Sequence, residues 1–236
     1  MTSPPHTAAE SIDPFPERPS LTRAVAGIGL YAGAFGLTFG AVAAASGLTV
    51  AQAVVMSVVM FTGASQFALV GVLAAGGAPL AGVSAALLLG VRNAFYGVPV
   101  THLVRPRGLR RLLTAHFVID ETTAMAVAQP RPRAGRYAFW ATGITLYILW
   151  NLGTLAGALI GSGINTSDLG LDAAAPAIFL ALLWPQLSRD RAPAVALGAG
   201  VVALALVPLV PAGVPIIAAA AVAIIAGLAP TGRNRA

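Results

Sequence analysis

Four groups of residues in this chain have types and spacings that can do chemistry. The first is Phe61-Thr62-Gly63-Ala64-Ser65-Gln66, set inside an apolar run. Thr62 and Gln66 lie four apart on one helix face, Ser65 sits beside them, and Gly63 weakens the helix at that point. A helix broken here frees backbone N–H and C=O groups for a ligand at mid-membrane depth; a continuous helix would leave Gln66 hydrogen-bonded to a neighbour instead. Gly63, Ser65 and Gln66 are therefore candidate substrate ligands. The second group is Arg92-Asn93, with Tyr96 and Gly97 one turn on. The fixed fork of donors on Arg92 suits a carboxylate, supplied by Asp120, Glu121, Asp172 or a substrate. The third is His116, Asp120 and Thr123, which share a face at i, i+4 and i+7, with Glu121 about 100° round from Asp120. Two adjacent carboxylates repel in a low-dielectric setting, which makes one of them a candidate proton carrier or ammonium ligand. The same segment can equally be an interfacial helix whose acids meet Arg110, Arg111 or water. The fourth is Asp172 in Gly170-Leu171-Asp172, which can cap a following helix or join a site.

The elements that position these groups follow from composition. Of 236 residues, 57% are hydrophobic and 9% are charged, with fourteen arginines, eight acids, a net charge of +6 and no cysteine. An average soluble domain carries roughly 25% charged residues, so this chain cannot clothe a soluble globule. The expected fold is an all-α polytopic membrane protein. A span needs about twenty apolar residues, and seven runs qualify: 24–46, 50–75, 79–102, 136–161, 171–187, 192–209 and 213–229. An eighth, 110–128, has helical length but carries His116, Asp120 and Glu121 midway, a heavy load for a lipid-facing helix. Residues 1–20 hold five prolines and no apolar run and read as a disordered tail; 21–229 read as a single membrane transport domain and 230–236 as a short tail.

The arginines stand in short groups between apolar runs, the pattern of cytoplasmic loops and not of a nucleic-acid surface. Eight spans would leave Arg105, Arg107, Arg110 and Arg111 outside, whereas seven would leave only Arg18 and Arg23 there, so loop charge favours seven. Small residues at four-residue spacing, Ala32, Gly36, Gly40 and Ala44 in the first run and Gly153, Gly157 and Gly161 in the fourth, give each helix a smooth stripe for close packing. With seven spans these two helices are antiparallel, as in an inverted transporter repeat with broken helices. No nucleophile–base pair, phosphate loop or haem signature is present. His116, Asp120 and Glu121 lack a second histidine for a metal, so neither an enzyme, a metal site nor a cofactor is expected.

Four pieces in order, GAFGLTFGAVAAASGLTVAQAVVMSVVMFTGASQFALVGVLAAGGAPL, LLLGVRNAFYG, FVIDETTAM and GLDAAAPAIFLALL, resemble the AzlC family over roughly residues 24–190. One departure is Gly90-Val91-Arg92-Asn93, where the family more often shows Asn-x-Arg-His; the arginine is kept, but the changed neighbours weaken any hydrogen-bonding role there. The resemblance implies a secondary exporter of branched-chain amino acids in the bacterial inner membrane, working with a small hydrophobic AzlD-type membrane protein. Such a substrate needs an anion site, a cation or carbonyl site and an apolar pocket. Arg92 or the amides near Gly63–Gln66 would take the carboxylate, and Asp120 or Glu121 the ammonium group or a coupling proton. The alternative is a passive channel or a structural membrane subunit for another small solute, which proton-dependent concentrative efflux would separate from a carrier.

Overall fold

A computed structural model of the chain describes residues 18–163, 180, 184–188, 191–210 and 213–228. Most of the expected tails, and Asp172 with most of the expected 171–187 span, lie outside the described residues. Three helices are long and apolar enough to cross a membrane: α1 (Arg18–Ala45), α4 (Pro79–Val104) and α7 (Pro132–Gly163). Between them lie two pairs of short helices, α2 (Val50–Val59) with α3 (Gly63–Ala74), and α5 (Arg110–His116) with α6 (Asp120–Val127). After a 3-10 turn at Trp184–Ser188 come α8 (Ala192–Leu206) and α9 (Val214–Leu228), which pack on each other.

The boundaries follow local chemistry. At the end of α1, Gly47 takes φ 86°. Its N–H donates to the Ala44 carbonyl and the Leu48 N–H to Ala43, a left-handed glycine cap. Thr49 and Gln52 then cap α2 reciprocally, the Thr49 N–H donating to Gln52 Oε1 at 2.8 Å and the Gln52 N–H to Thr49 Oγ1 at 3.2 Å. Gly76, at φ 73°, ends α3 in the same way as Gly47 ends α1, and Pro79 opens α4, where its missing N–H costs nothing.

The stripes of small residues on α1 and α7 do meet. A Cβ at Gly36, Gly40, Gly153 or Gly157 would overlap the backbone of the facing helix. The register, however, corrects the expected orientation. Thr22 pairs with Tyr137, Gly33 lies on Leu149, and Gly161 lies on Ala41, so both helices advance together and run parallel.

The short pairs explain why. Helix α2 descends along α7, with Ser57 against Thr154 and the Tyr147 hydroxyl donating to the Val58 carbonyl. After the break at Met60–Thr62, α3 climbs back antiparallel to α4, with Ser65 facing Gly90, Leu69 facing Gly82 and Val72 near Ala81 through Gly213. The run 50–75 is therefore a hairpin that returns to the end it left. The run 110–128 does the same from the opposite end. His116 and Phe117 reach Phe61 and Tyr147 at mid-height. Helix α6 then returns until the Ala126 carbonyl meets Gly135 near the start of α7. At a rise of about 1.5 Å per residue, no half-helix exceeds roughly 18 Å, short of the ~30 Å hydrocarbon core.

Between α1 and α7 the chain thus makes one full crossing, α4, and that parity makes α1 and α7 parallel. The expected antiparallel pair is absent. The inversion resides in the hairpins, one entering from each end, and among the described residues three helices are long and apolar enough to cross, with several shorter apolar helices beside them. Large apolar side chains such as Leu30, Val59, Leu87, Phe95, Leu152 and Leu159 face outward, which suits lipid and not water.

Candidate functional site

The two hairpin tips meet in the middle of the molecule, and a cavity of about 640 Å³ opens beside them. Its wall comes from five elements. Tyr31 and Phe35 come from α1, Phe61 to Ala64 and Phe67 from the first hairpin, Arg92 and Tyr96 from α4, Ile119 to Glu121 from the second hairpin, and Leu146 and Trp150 from α7.

Each break is held by a side chain from the first turn of the following half-helix. In the first, Gln66 is fully buried and its Nε2 donates to the Met60 carbonyl at 2.6 Å. The Trp150 indole N–H donates to Gln66 Oε1 at 3.0 Å. In the second, the Ile119 N–H donates to Thr122 Oγ1 at 3.1 Å, and the same hydroxyl donates to the Phe117 carbonyl at 2.6 Å. Both devices satisfy backbone groups that a helix interruption would otherwise leave bare in an apolar surrounding.

The helix starts so created point at the cavity. Thr62, the residue before α3, makes no side-chain cap, so the first-turn amides of α3 present the positive end of a helix dipole there. Helix α6 opens with Asp120 and Glu121, whose charges complement its own amides. From the middle of α4, one Arg92 Nη donates to Asp120 Oδ2 at 3.0 Å. The two side chains remain 40% and 42% exposed, so the pair faces the cavity and is open to a solute. Arg92 Nε is buried with no hydrogen-bond partner among the described residues.

Of the residues singled out from the sequence, Gly63, Arg92, Asp120 and Glu121 are brought together on the cavity wall. Ser65, Gln66 and Asn93 are placed behind it: Ser65 Oγ and Asn93 Oδ1 are buried without partners among the described residues, and Gln66 serves the break. The expected face of His116, Asp120 and Thr123 is cut by the interruption at Phe117–Ile119, which sends the His116 ring against Phe61, 5.9 Å between centroids, while Asp120 turns to Arg92. Trp150 and Tyr31 were not singled out from the sequence. Trp150 sits in an apolar run one turn before the Gly153 stripe, and nothing local marks it. A Cβ on Gly63 would stand 2.7 Å from the Trp150 ring, so glycine is what lets the first tip seat on the indole.

The model of the AzlC protein family matches residues 27–164, most of α1 and all of α2 to α7 with the cavity between them. A membrane protein of Helicobacter pylori (strain J99) is 27% identical over 157 residues, 66% of this chain and 69% of its own length. The inner membrane protein YgaZ of Escherichia coli K12 is 30% identical over 166 residues, 65% of this chain and 66% of its own. The branched-chain amino acid transport protein AzlC of Bacillus subtilis is 23% identical over 159 residues, 66% of this chain and 62% of its own. No solved structure matches the chain. With the family match spanning every element that builds the site, the chain belongs to the AzlC family of membrane proteins.

Proposed function

We propose that this protein is a secondary transporter that exports branched-chain amino acids across the bacterial inner membrane, together with a small AzlD-type partner. The observation that carries the reading is a mid-height cavity in which an uncapped helix start, a guanidinium, two carboxylates and an apolar wall converge. A zwitterion with an aliphatic side chain needs that set. Its carboxylate would lie between Arg92 and the first amides of α3, its ammonium group toward the acids of α6, and its side chain on Phe61, Phe67, Leu146 and Trp150. The volume is within the roughly 300–1,000 Å³ usual for small-molecule sites. The name of the Bacillus subtilis relative, which covers the same elements, supports the substrate class.

Leucine efflux from preloaded cells tests it. Arg92→Ala and Asp120→Asn, each with normal membrane levels, are expected to lower efflux at least roughly 30-fold, because each strands one partner of a charged hydrogen bond. Efflux at the wild-type rate in either variant would overturn the assignment, and passive flux insensitive to a proton gradient would replace the carrier with a channel.

A further inference from the structure

The cavity carries unequal charge. Its titratable and charged lining groups are Tyr31 on α1, Arg92 and Tyr96 on α4, and Asp120 and Glu121 on α6; the first hairpin tip and α7 contribute neutral side chains. Arg92 is engaged by Asp120 at 3.0 Å. Glu121, the next residue, projects about 100° further round the helix. It lines the same cavity as Tyr31, and no ion pair to it is found among the described residues. One guanidinium therefore answers two carboxylates.

At mid-membrane depth an uncompensated carboxylate is costly, so Glu121 must hold a cation. Two cations fit this chemistry. A proton is one. The other is a primary ammonium, which the carboxylate would bind by charge-assisted hydrogen bonds while the ring faces of Tyr31, Phe61, Tyr96 and Trp150 favour it electrostatically.

We propose that Glu121 is the exchange group of this carrier, holding either a proton or the ammonium group of the amino acid and never both, so that transport is antiport of protons against amino acid. The proposal rests on the amino-acid reading of the cavity and assigns its two acids different work. When the amino acid enters, the Glu121 O–H bond breaks and the proton leaves to the water the cavity faces. A hydrogen bond from the ammonium group to the carboxylate takes its place, and no electrons are transferred. Glu121 itself is bare in neither loaded state. Because the amino acid is a zwitterion, its own carboxylate, facing Arg92 and the first amides of α3, leaves the amino-acid-loaded site one unit more negative than the protonated one, so each exchange moves one net charge. Asp120 is a positioning residue, holding Arg92 toward the substrate carboxylate.

The test is proton release on binding. The full-length protein in detergent, in weakly buffered solution with a pH-sensitive dye, is titrated with L-leucine, L-valine and L-isoleucine. About one proton per bound amino acid is expected, the count a single exchanging carboxylate requires, and the dissociation constant should fall about tenfold per pH unit while Glu121 is protonated in the free protein. Glu121→Asp should keep the release, whereas Glu121→Gln should bind with an affinity independent of pH and release none. Asp120→Asn should bind more weakly yet still release a proton. Binding by wild-type protein without proton release, or release that persists in Glu121→Gln, overturns the exchange while leaving the amino-acid site standing. If none of the three amino acids binds to wild type, the amino-acid reading fails and the exchange falls with it.

Discussion

Gln66 and Arg92 look alike in the sequence, each a strongly polar side chain in an apolar helix, and the fold gives them opposite work. Arg92 was legible because a guanidinium at the centre of a long apolar helix demands a carboxylate, and Asp120 supplies it at 3.0 Å. Gln66 was legible only as polar. Its partner is Trp150, 84 positions away, and its second bond closes onto the Met60 carbonyl, so its role in holding the break depends on contacts no local pattern encodes. Trp150→Phe keeps the ring against Gly63 but strips the indole donor from a fully buried amide. It should cost about 1–3 kcal/mol of stability, read as a lower unfolding midpoint in detergent, and it should raise KM for efflux as the start of α3 loosens. Gly63→Ala should be more severe for transport, because the added methyl meets the indole ring at 2.7 Å; an unaltered efflux rate would show that the tip does not need to seat there.

At the scale of elements, the small-residue stripes were readable as packing faces, while their relative direction was not. Spacing says that Gly153, Gly157 and Gly161 share a face; it is silent on whether the facing helix runs up or down. The register from Thr22–Tyr137 to Ala41–Gly161 answers that. Close packing here leaves no room for a methyl. Gly157→Ala would press on the Leu37 carbonyl and Gly40→Ala on that of Thr154, and backbone atoms cannot rotate away. Each substitution should lower the thermal midpoint and the yield of folded protein, at a cost of about 1–3 kcal/mol. Gly27→Ala, with nothing within 4 Å, should be neutral. Equal behaviour of the three variants would mean that α1 and α7 do not touch as described.

On the scale of the whole molecule, the hairpins resolve the conflict over loop charge. With each hairpin returning to its own end, Arg18, Arg23, Arg105, Arg107, Arg110, Arg111, Arg131, Arg133 and Arg136 all gather at the end where α1 begins. The turns at 46–49 and 75–78, at the other end, carry none. Neither seven nor eight simple spans achieves this, and by the loop-charge rule the arginine-rich end is the one expected to face the cytoplasm. The chain has no native cysteine, so single cysteines report cleanly. Arg107→Cys and Ala128→Cys should label from the cytoplasmic face, and Ser46→Cys and Ala78→Cys from the opposite one. Labelling of 46 and 78 from different faces would mean that the run 50–75 crosses. What the sequence by itself determined was the solvent and the candidates: too few charges for a water-facing surface, apolar runs of membrane length, small-residue faces, a weak point at Gly63 where a helix could break or continue, and a short set of polar groups that lipid would not tolerate unpaired. The tertiary structure alone decided that two of those runs turn back at mid-height, which residues reach the cavity, and which instead hold its walls. The physical reason is that hydropathy measures the surroundings of a segment and not its direction. A hairpin that dips into the bilayer and a helix that crosses it bury the same apolar side chains, and only the contacts each half makes with distant helices distinguish them.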